Sequence, residues 1–150
     1  MADALAELKA VKISQRLPDA LVLGADQVLA APDGSIFDKP ESRDHAATQL
    51  RQLRGSTHSL FSAAVIAQGG KPVWRAVDEA KLTMRPFSDT FLTEYLDREW
   101  PAVAACVGCY RLEAMGAQLF SRIGGDHFTI LGLPLMEVLD FLRVRGVLTS

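Results

Sequence analysis

The feature that most constrains this chain is the apolar run Ala-Leu-Val-Leu-Gly-Ala-Asp-Gln-Val-Leu-Ala-Ala at residues 20–31. It is bounded by Pro18 on one side and by the turn-forming Pro32-Asp33-Gly34 on the other. A short apolar run stopped at both ends suits a buried strand. Its only polar residues, Asp26 and Gln27, follow Gly24-Ala25 directly. A carboxylate inside such a run is costly unless it is paired, metal-bound or protonated. Two readings of Asp26 are open: it bonds a neighbouring loop, or it serves chemistry. Adjacent residues of a regular strand point to opposite faces. Asp26 and Gln27 can therefore enter one cleft only if the strand ends or bulges at Gly24-Ala25.

Helix and strand signals alternate around this run. Residues 3–16 read as a helix with Leu5, Leu8 and Val11 forming its apolar stripe and Lys9 beside it. Ser42 to Arg54 read as a second helix, capped by Ser42, facing Ala46, Leu50 and Leu53 inward and ended by Gly55. Residues 57–68 and 72–85 predict two strands joined by Gly69-Gly70-Lys71, a hairpin signal. In the second of these, Trp74, Ala76, Ala80, Leu82 and Met84 share one face. Ser88 caps a short helix through Arg98, Ala117 to Ile123 reads as another strand, and Leu133 to Arg145 as a closing helix between Pro134 and Gly146. With no internal repeat, linker or low-complexity tract, the expectation is a single domain over residues 1–150. It is of the α/β class, with a mixed central sheet flanked by helices.

Composition narrows the partners. The formal net charge is −2, and no segment gathers enough Lys and Arg to form a nucleic-acid groove. Apolar runs are broken before membrane-spanning length and no signal peptide is evident, so a cytoplasmic protein with no membrane or nucleic-acid partner is expected. Two Cys and three His offer no disulfide framework. A small anionic ligand needs no such groove, because two or three well-placed cations suffice to hold it.

Several segments taken together resemble one family. They are Gly24-Ala25-Asp26, Asp38-Lys39-Pro40, Leu53-Arg54-Gly55-Ser56-Thr57-His58, Gly108-Cys109-Tyr110, Phe120-Ser121-Arg122-Ile123 and Gly132-Leu133-Pro134-Leu135. In this order and spacing, from Lys9 to the C-terminus, they are similar to the Maf family. The resemblance implies a Maf-like, inosine triphosphatase-like fold. It also implies a cytoplasmic homodimer that cleaves a free nucleoside triphosphate between its α and β phosphates with a divalent metal cation, Mg or Mn. The products would be a nucleoside monophosphate and pyrophosphate.

The resemblance also implies roles residue by residue. Asp26 stands at the catalytic acid position, where it would orient or deprotonate water and touch the metal. Lys39 matches the phosphate-binding Lys of the usual Gly-Lys-Pro, here Asp-Lys-Pro. Lys9 matches a Lys of the family's Leu-Ala-x-x-Lys-Ala helix. Gln27 and Glu113 stand where members acting on thymidine and uridine triphosphates carry Thr and Gln. That pairing resembles the subfamily acting on N7-methylguanosine triphosphate. A carboxylate at Glu113 suits the adjacent N1–H and N2–H donors of guanine, and the cationic methylated base suits it further. The plainer reading is that Glu113 pairs with Arg111 or Arg122. No residues match the family's opening strand and Ser-x-Ser-Pro-Arg-Arg loop. The expectation is an N-terminally truncated domain with little pyrophosphatase activity, or alternatively a catalytically impaired nucleotide-binding or cell-division regulatory dimer.

Other signals weigh less. Cys106-Val107-Gly108-Cys109 has C-x-x-C spacing but lacks the helix start of a redox site and the further ligands of a zinc site. His58 is expected to bond backbone within its turn, His45 to be an exposed helix residue and His127 to be a loop residue. Gly69-Gly70 and Gly124-Gly125 lack the Lys-Ser/Thr of a phosphate loop and read as turns.

Overall fold

The computed structural model describes residues 1–150. Its strands form one five-stranded sheet. In chain order they are β1 (Val22–Ala30), β2 (Ile36–Phe37), β3 (Thr57–Gln68), β4 (Lys71–Met84) and β5 (Phe120–Gly124). The spatial order is β2-β1-β3-β4-β5. The outer pairs are antiparallel, with Leu29 opposite Phe37 and Leu82 opposite Ile123. Five helices accompany it: α1 (Ala2–Ser14), α2 (Arg43–Leu53), α3 (Asp89–Glu99), α4 (His127–Leu131) and α5 (Leu135–Val144). The α/β class expected from the sequence is the class observed.

The chain divides into two compact units. The first comprises Met1–Val28, Leu60–Ala80 and Gly125–Ser150. Here α1 lies on one face of the sheet, where Ala2, Ala6 and Ala10 pack with Val28, Ala63, Val65 and Ala67. This differs from the stripe read off the sequence. Leu5 and Leu8 are 41% and 67% exposed, while the buried positions are Ala2, Ala6, Ala10 and Ser14. Gly24 gives the reason. A Cβ there would stand 2.3 Å from the Ala6 carbonyl oxygen and 2.7 Å from the Ala10 nitrogen. At so close an approach only small side chains fit between helix and strand, so the leucines turn outward. Trp74 on β4 stacks on Phe141 of α5 with ring centroids 5.1 Å apart.

The second unit comprises Leu29–Ser59 and Lys81–Gly124. Ser42 caps α2 by accepting from the His45 amide at 3.0 Å, and Ser88 caps α3 by accepting from Phe91 at 3.1 Å, as the sequence predicts. The strand expected over 117–123 is displaced. Met115–Leu119 forms a 3-10 helix and the strand begins at Phe120. Gly116 allows this tight turn, since a Cβ there would stand 2.3 Å from the Arg111 carbonyl oxygen. The segment also lacks the β-branched residues that favour extended chain. No helix is long and apolar enough to cross a membrane.

Candidate functional site

In the first unit the close approach at Gly24 brings Lys9 to Asp26. With α1 seated on β1, the Lys9 ammonium donates to the Ala25 carbonyl at 3.1 Å and to Asp26 Oδ1 at 2.5 Å. Asp26 is largely covered, its side chain 17% exposed, whereas Lys9 is 57% exposed. The costly carboxylate of the apolar run is thus paired across elements rather than bonded to a neighbouring loop. An ammonium has three donors. Two are engaged here, so the ammonium retains one further donor.

Gln27 departs from expectation. The strand does not end at Gly24-Ala25, for β1 runs from Val22 to Ala30, and Gly24, Asp26 and Val28 all face α1. Gln27 therefore projects to the face opposite Asp26. There its amide nitrogen donates to Ser62 Oγ at 3.2 Å and to the carbonyls of Thr129 and Ile130 at 3.2 and 2.9 Å. Ser62 donates to the same Thr129 carbonyl at 2.6 Å, and the Thr129 hydroxyl donates to Asp78 at 2.7 Å. Gln27 thus bonds α4 from the face opposite Asp26, so the bulge that would bring both side chains into one cleft is not what their partners show. Asp126 caps α4, accepting from Phe128 and Thr129, so His127 opens a helix instead of lying in a loop.

In the second unit Lys39 and Glu113 are both exposed. Both act electrostatically on the Cys106 thiol. Burial pushes the Cys106 thiol up; Arg111 and Lys39 pull it down, while Glu113 and Glu99 push it up. Arg111 does not pair with Glu113. Its guanidinium bonds Glu99 at 2.8 Å, and Glu99 also accepts from the Met115 amide at 3.0 Å. Burial opposes ionisation of Glu99, but these two donors outweigh it and hold its carboxyl below the usual range. Glu113 forms no ion pair with Arg111 or Arg122.

The remaining sequence signals fall into structural roles. Burial pushes the Cys109 thiol up to about 12, so it is a protonated donor to Gln49 and not a nucleophile or ligand. His58 is buried, with Nε2 2.9 Å from the Tyr110 hydroxyl, rather than bonded to its own turn. Burial lowers its pKa to about 4, which keeps the ring neutral. His45 accepts from the Glu41 amide at 3.2 Å. Missed from the sequence were the braces Ser62, Gln49 and Glu99. Of these only Gln49 left a trace, as a polar residue next to the inward stripe of the second helix.

The model of Maf-like proteins matches residues 1–145. A nucleoside triphosphate pyrophosphatase of Caulobacter vibrioides is 55% identical over 149 residues, covering 99% of this chain and 74% of that protein. One of Sphingopyxis alaskensis is 51% identical over 147 residues, covering 98% and 74% respectively. Nucleoside triphosphate pyrophosphatase 1 of a Jannaschia species is 53% identical over 147 residues, again covering 98% and 74%. A match of this extent, on a chain that also pairs Lys9 with Asp26, is decisive: the chain belongs to the Maf-like protein family.

Proposed function

We propose that this protein hydrolyses a nucleoside triphosphate to its monophosphate and pyrophosphate, with Asp26 activating water. The observation that carries the reading is the contact between Lys9 and Asp26, in which a covered carboxylate lies beside an exposed ammonium that keeps one donor free. Asp26 Oδ2 accepts the proton as water oxygen attacks the α-phosphorus. The bond from that phosphorus to the bridging oxygen breaks, and the electron pair leaves with pyrophosphate. Lys9 and Lys39 meet the phosphate oxygens, where charge develops. The names of the relatives support the reaction class.

One carboxylate, Asp26, is on hand for a divalent cation. No cluster of three or more His, Cys, Asp or Glu is assembled for one. Magnesium nevertheless commonly binds one or two carboxylates and completes its shell with substrate phosphates and water. Asp26 is the residue that would hold it, and when bound it would neutralise phosphate charge.

The proposed substrate is a modified guanosine triphosphate, N7-methylguanosine triphosphate in particular. Exposed Glu113, whose neighbour Arg111 is hydrogen-bonded to Glu99, supports this as an acceptor for the guanine N1–H and N2–H pair. Gln27 is left out of the contact set because its amide is engaged with α4. A cytoplasmic homodimer is part of the same reading and rests on the family likeness. The test is pyrophosphate release by the full-length native protein carrying Asp26→Asn, which keeps shape and removes the base. A loss on the order of a hundredfold or more is expected; unchanged turnover overturns the assignment.

A further inference from the structure

The inward face of α2 buries Ala46, Gln49, Leu50 and Leu53, and only one of these is polar. A buried primary amide is costly unless both its ends are bonded. Gln49 meets that demand by joining two of the segments that carry candidate site residues. Its Nε2 donates to the Asp38 carbonyl at 2.8 Å, and its Oε1 accepts from Cys109 Sγ at 3.1 Å. The Cys109 end is itself fixed. The Tyr95 hydroxyl donates to the Cys109 carbonyl at 2.7 Å, and the Cys109 amide donates to the Cys106 carbonyl at 3.2 Å. That turn is closed by Gly108 and Cys109 at φ 83° and 62°. A Cβ on Gly108 would stand 2.7 Å from both Leu29 and the Tyr110 ring, so the turn has little freedom to shift.

At the other end, Asp38 directly precedes Lys39, and Pro40 is buried while Lys39 is exposed. The backbone of this segment is therefore held from within, although the lysine side chain is free. A long cationic side chain loses rotamer freedom when it grips an anion, and a fixed backbone root limits what must be lost.

We propose that Gln49 is a positioning residue for phosphate recognition. Its amide ties the Asp38-Lys39-Pro40 segment to the Cys106–Cys109 turn and so fixes where the Lys39 ammonium reaches. This rests on the reading that Lys39 meets the phosphates that leave as pyrophosphate. A structural brace alone would stabilise the fold and treat all ligands alike. A positioning residue weakens only ligands that carry the phosphates its lysine holds.

The experiment is calorimetric titration of the full-length native protein with the non-cleavable α,β-methylene analogue of guanosine triphosphate and, separately, with guanosine monophosphate. Gln49→Met keeps length and loses both hydrogen bonds. It is expected to weaken the triphosphate analogue about fivefold to tenfold, the worth of one or two such bonds, and the monophosphate less than about twofold. In a Lys39→Ala background the same substitution is expected to add nothing. Because Gln49→Met leaves buried groups unpaired, Cys109→Ala and Cys109→Ser form a second pair: the alanine removes one donor and weakens the triphosphate selectively, and the serine restores it. Equal weakening of both ligands, or a full additional loss on top of Lys39→Ala, overturns the proposal while leaving the role of Lys39 intact. No effect of Lys39→Ala alone on the triphosphate analogue overturns the role of Lys39 and the proposal with it.

Discussion

The corner around Asp26 and the turn around Cys106 each hold a lysine, by opposite means. At Asp26 the lysine itself is held. Gly24, Ala6 and Ala10 let α1 close onto β1, and Lys9 reaches a carbonyl and a carboxylate directly. Around Cys106 the lysine side chain is free and only its backbone root is held, through Gln49, Cys109 and Tyr95. The first arrangement depends on backbone proximity and tolerates almost no added volume. The second depends on buried polar pairs and tolerates volume better than the loss of a hydrogen bond. On the proposed reading, the lysine beside the base is fixed at its tip and the lysine that follows the ligand is fixed at its root.

The sharpest way to break this contrast is at Gly24. Gly24→Ala forces a Cβ against backbone atoms that cannot swing away. The expected result is a loss of stability of about 1–3 kcal/mol. Turnover should also fall on the order of a hundredfold, because a shift of about 1 Å misplaces the reacting groups. Urea denaturation and steady-state pyrophosphate release read the two effects. Retention of both would show that the small-residue contact is not what places Lys9.

The polar interior of the second unit is tested by acid. His58 is neutral when folded, with a pKa lowered to about 4 from 6.5. Its contribution is complete above pH 6.5, where folded and unfolded states are both neutral. As pH falls from 6.5 towards 4, only the unfolded state gains a proton and stability drops. Below about 4 the loss levels off. The full difference amounts to about 3 kcal/mol. Unfolding free energies of the native protein and of His58→Gln, which keeps a partner for Tyr110, should converge as pH is lowered through this window. Parallel curves would mean that the ring is not desolvated when folded.

The smallest effect concerns the exposed end of the second unit. Glu113→Gln exchanges an acceptor pair for one acceptor and one donor. The preference for guanosine over uridine triphosphate, measured as a ratio of kcat/KM values, should fall about tenfold while turnover of uridine triphosphate is retained. An unchanged ratio would remove Glu113 from base recognition.

Local chemistry made most of the elements legible. The Ser42 and Ser88 caps, the Gly69-Gly70 hairpin and the apolar run of β1 each carry their signal within a few residues. What was misread depended on distant partners. The leucines of α1 gave the stronger periodic pattern, yet the alanines are buried, because Gly24 lies on a different element and its close approach leaves no trace in the helix's own spacing. Gln27 followed Asp26 so closely that a shared cleft was natural to expect. The strand separates them, and the partners that hold Gln27 are Ser62 and the carbonyls of α4. The strand expected from Ala117 began late because Gly116 packs against the backbone of Arg111. Of the candidate site, the pairing of Lys9 with Asp26 was foreshadowed by the cost of a carboxylate in an apolar run. The bracing by Gln49 and Glu99 was not, since a buried amide or carboxylate is identified by its partners rather than by its neighbours in sequence.

In the proposed reaction Asp26 directs water to the α-phosphorus. Hydrolysis of N7-methylguanosine triphosphate by the full-length native protein in water enriched in oxygen-18, followed by phosphorus NMR, tests it most directly. The label is expected in the monophosphate alone, and its rate of incorporation should fall on the order of a hundredfold or more in Asp26→Asn. Label in pyrophosphate or orthophosphate would place the attack at another phosphorus, and an unchanged rate in the variant would take Asp26 out of the reaction.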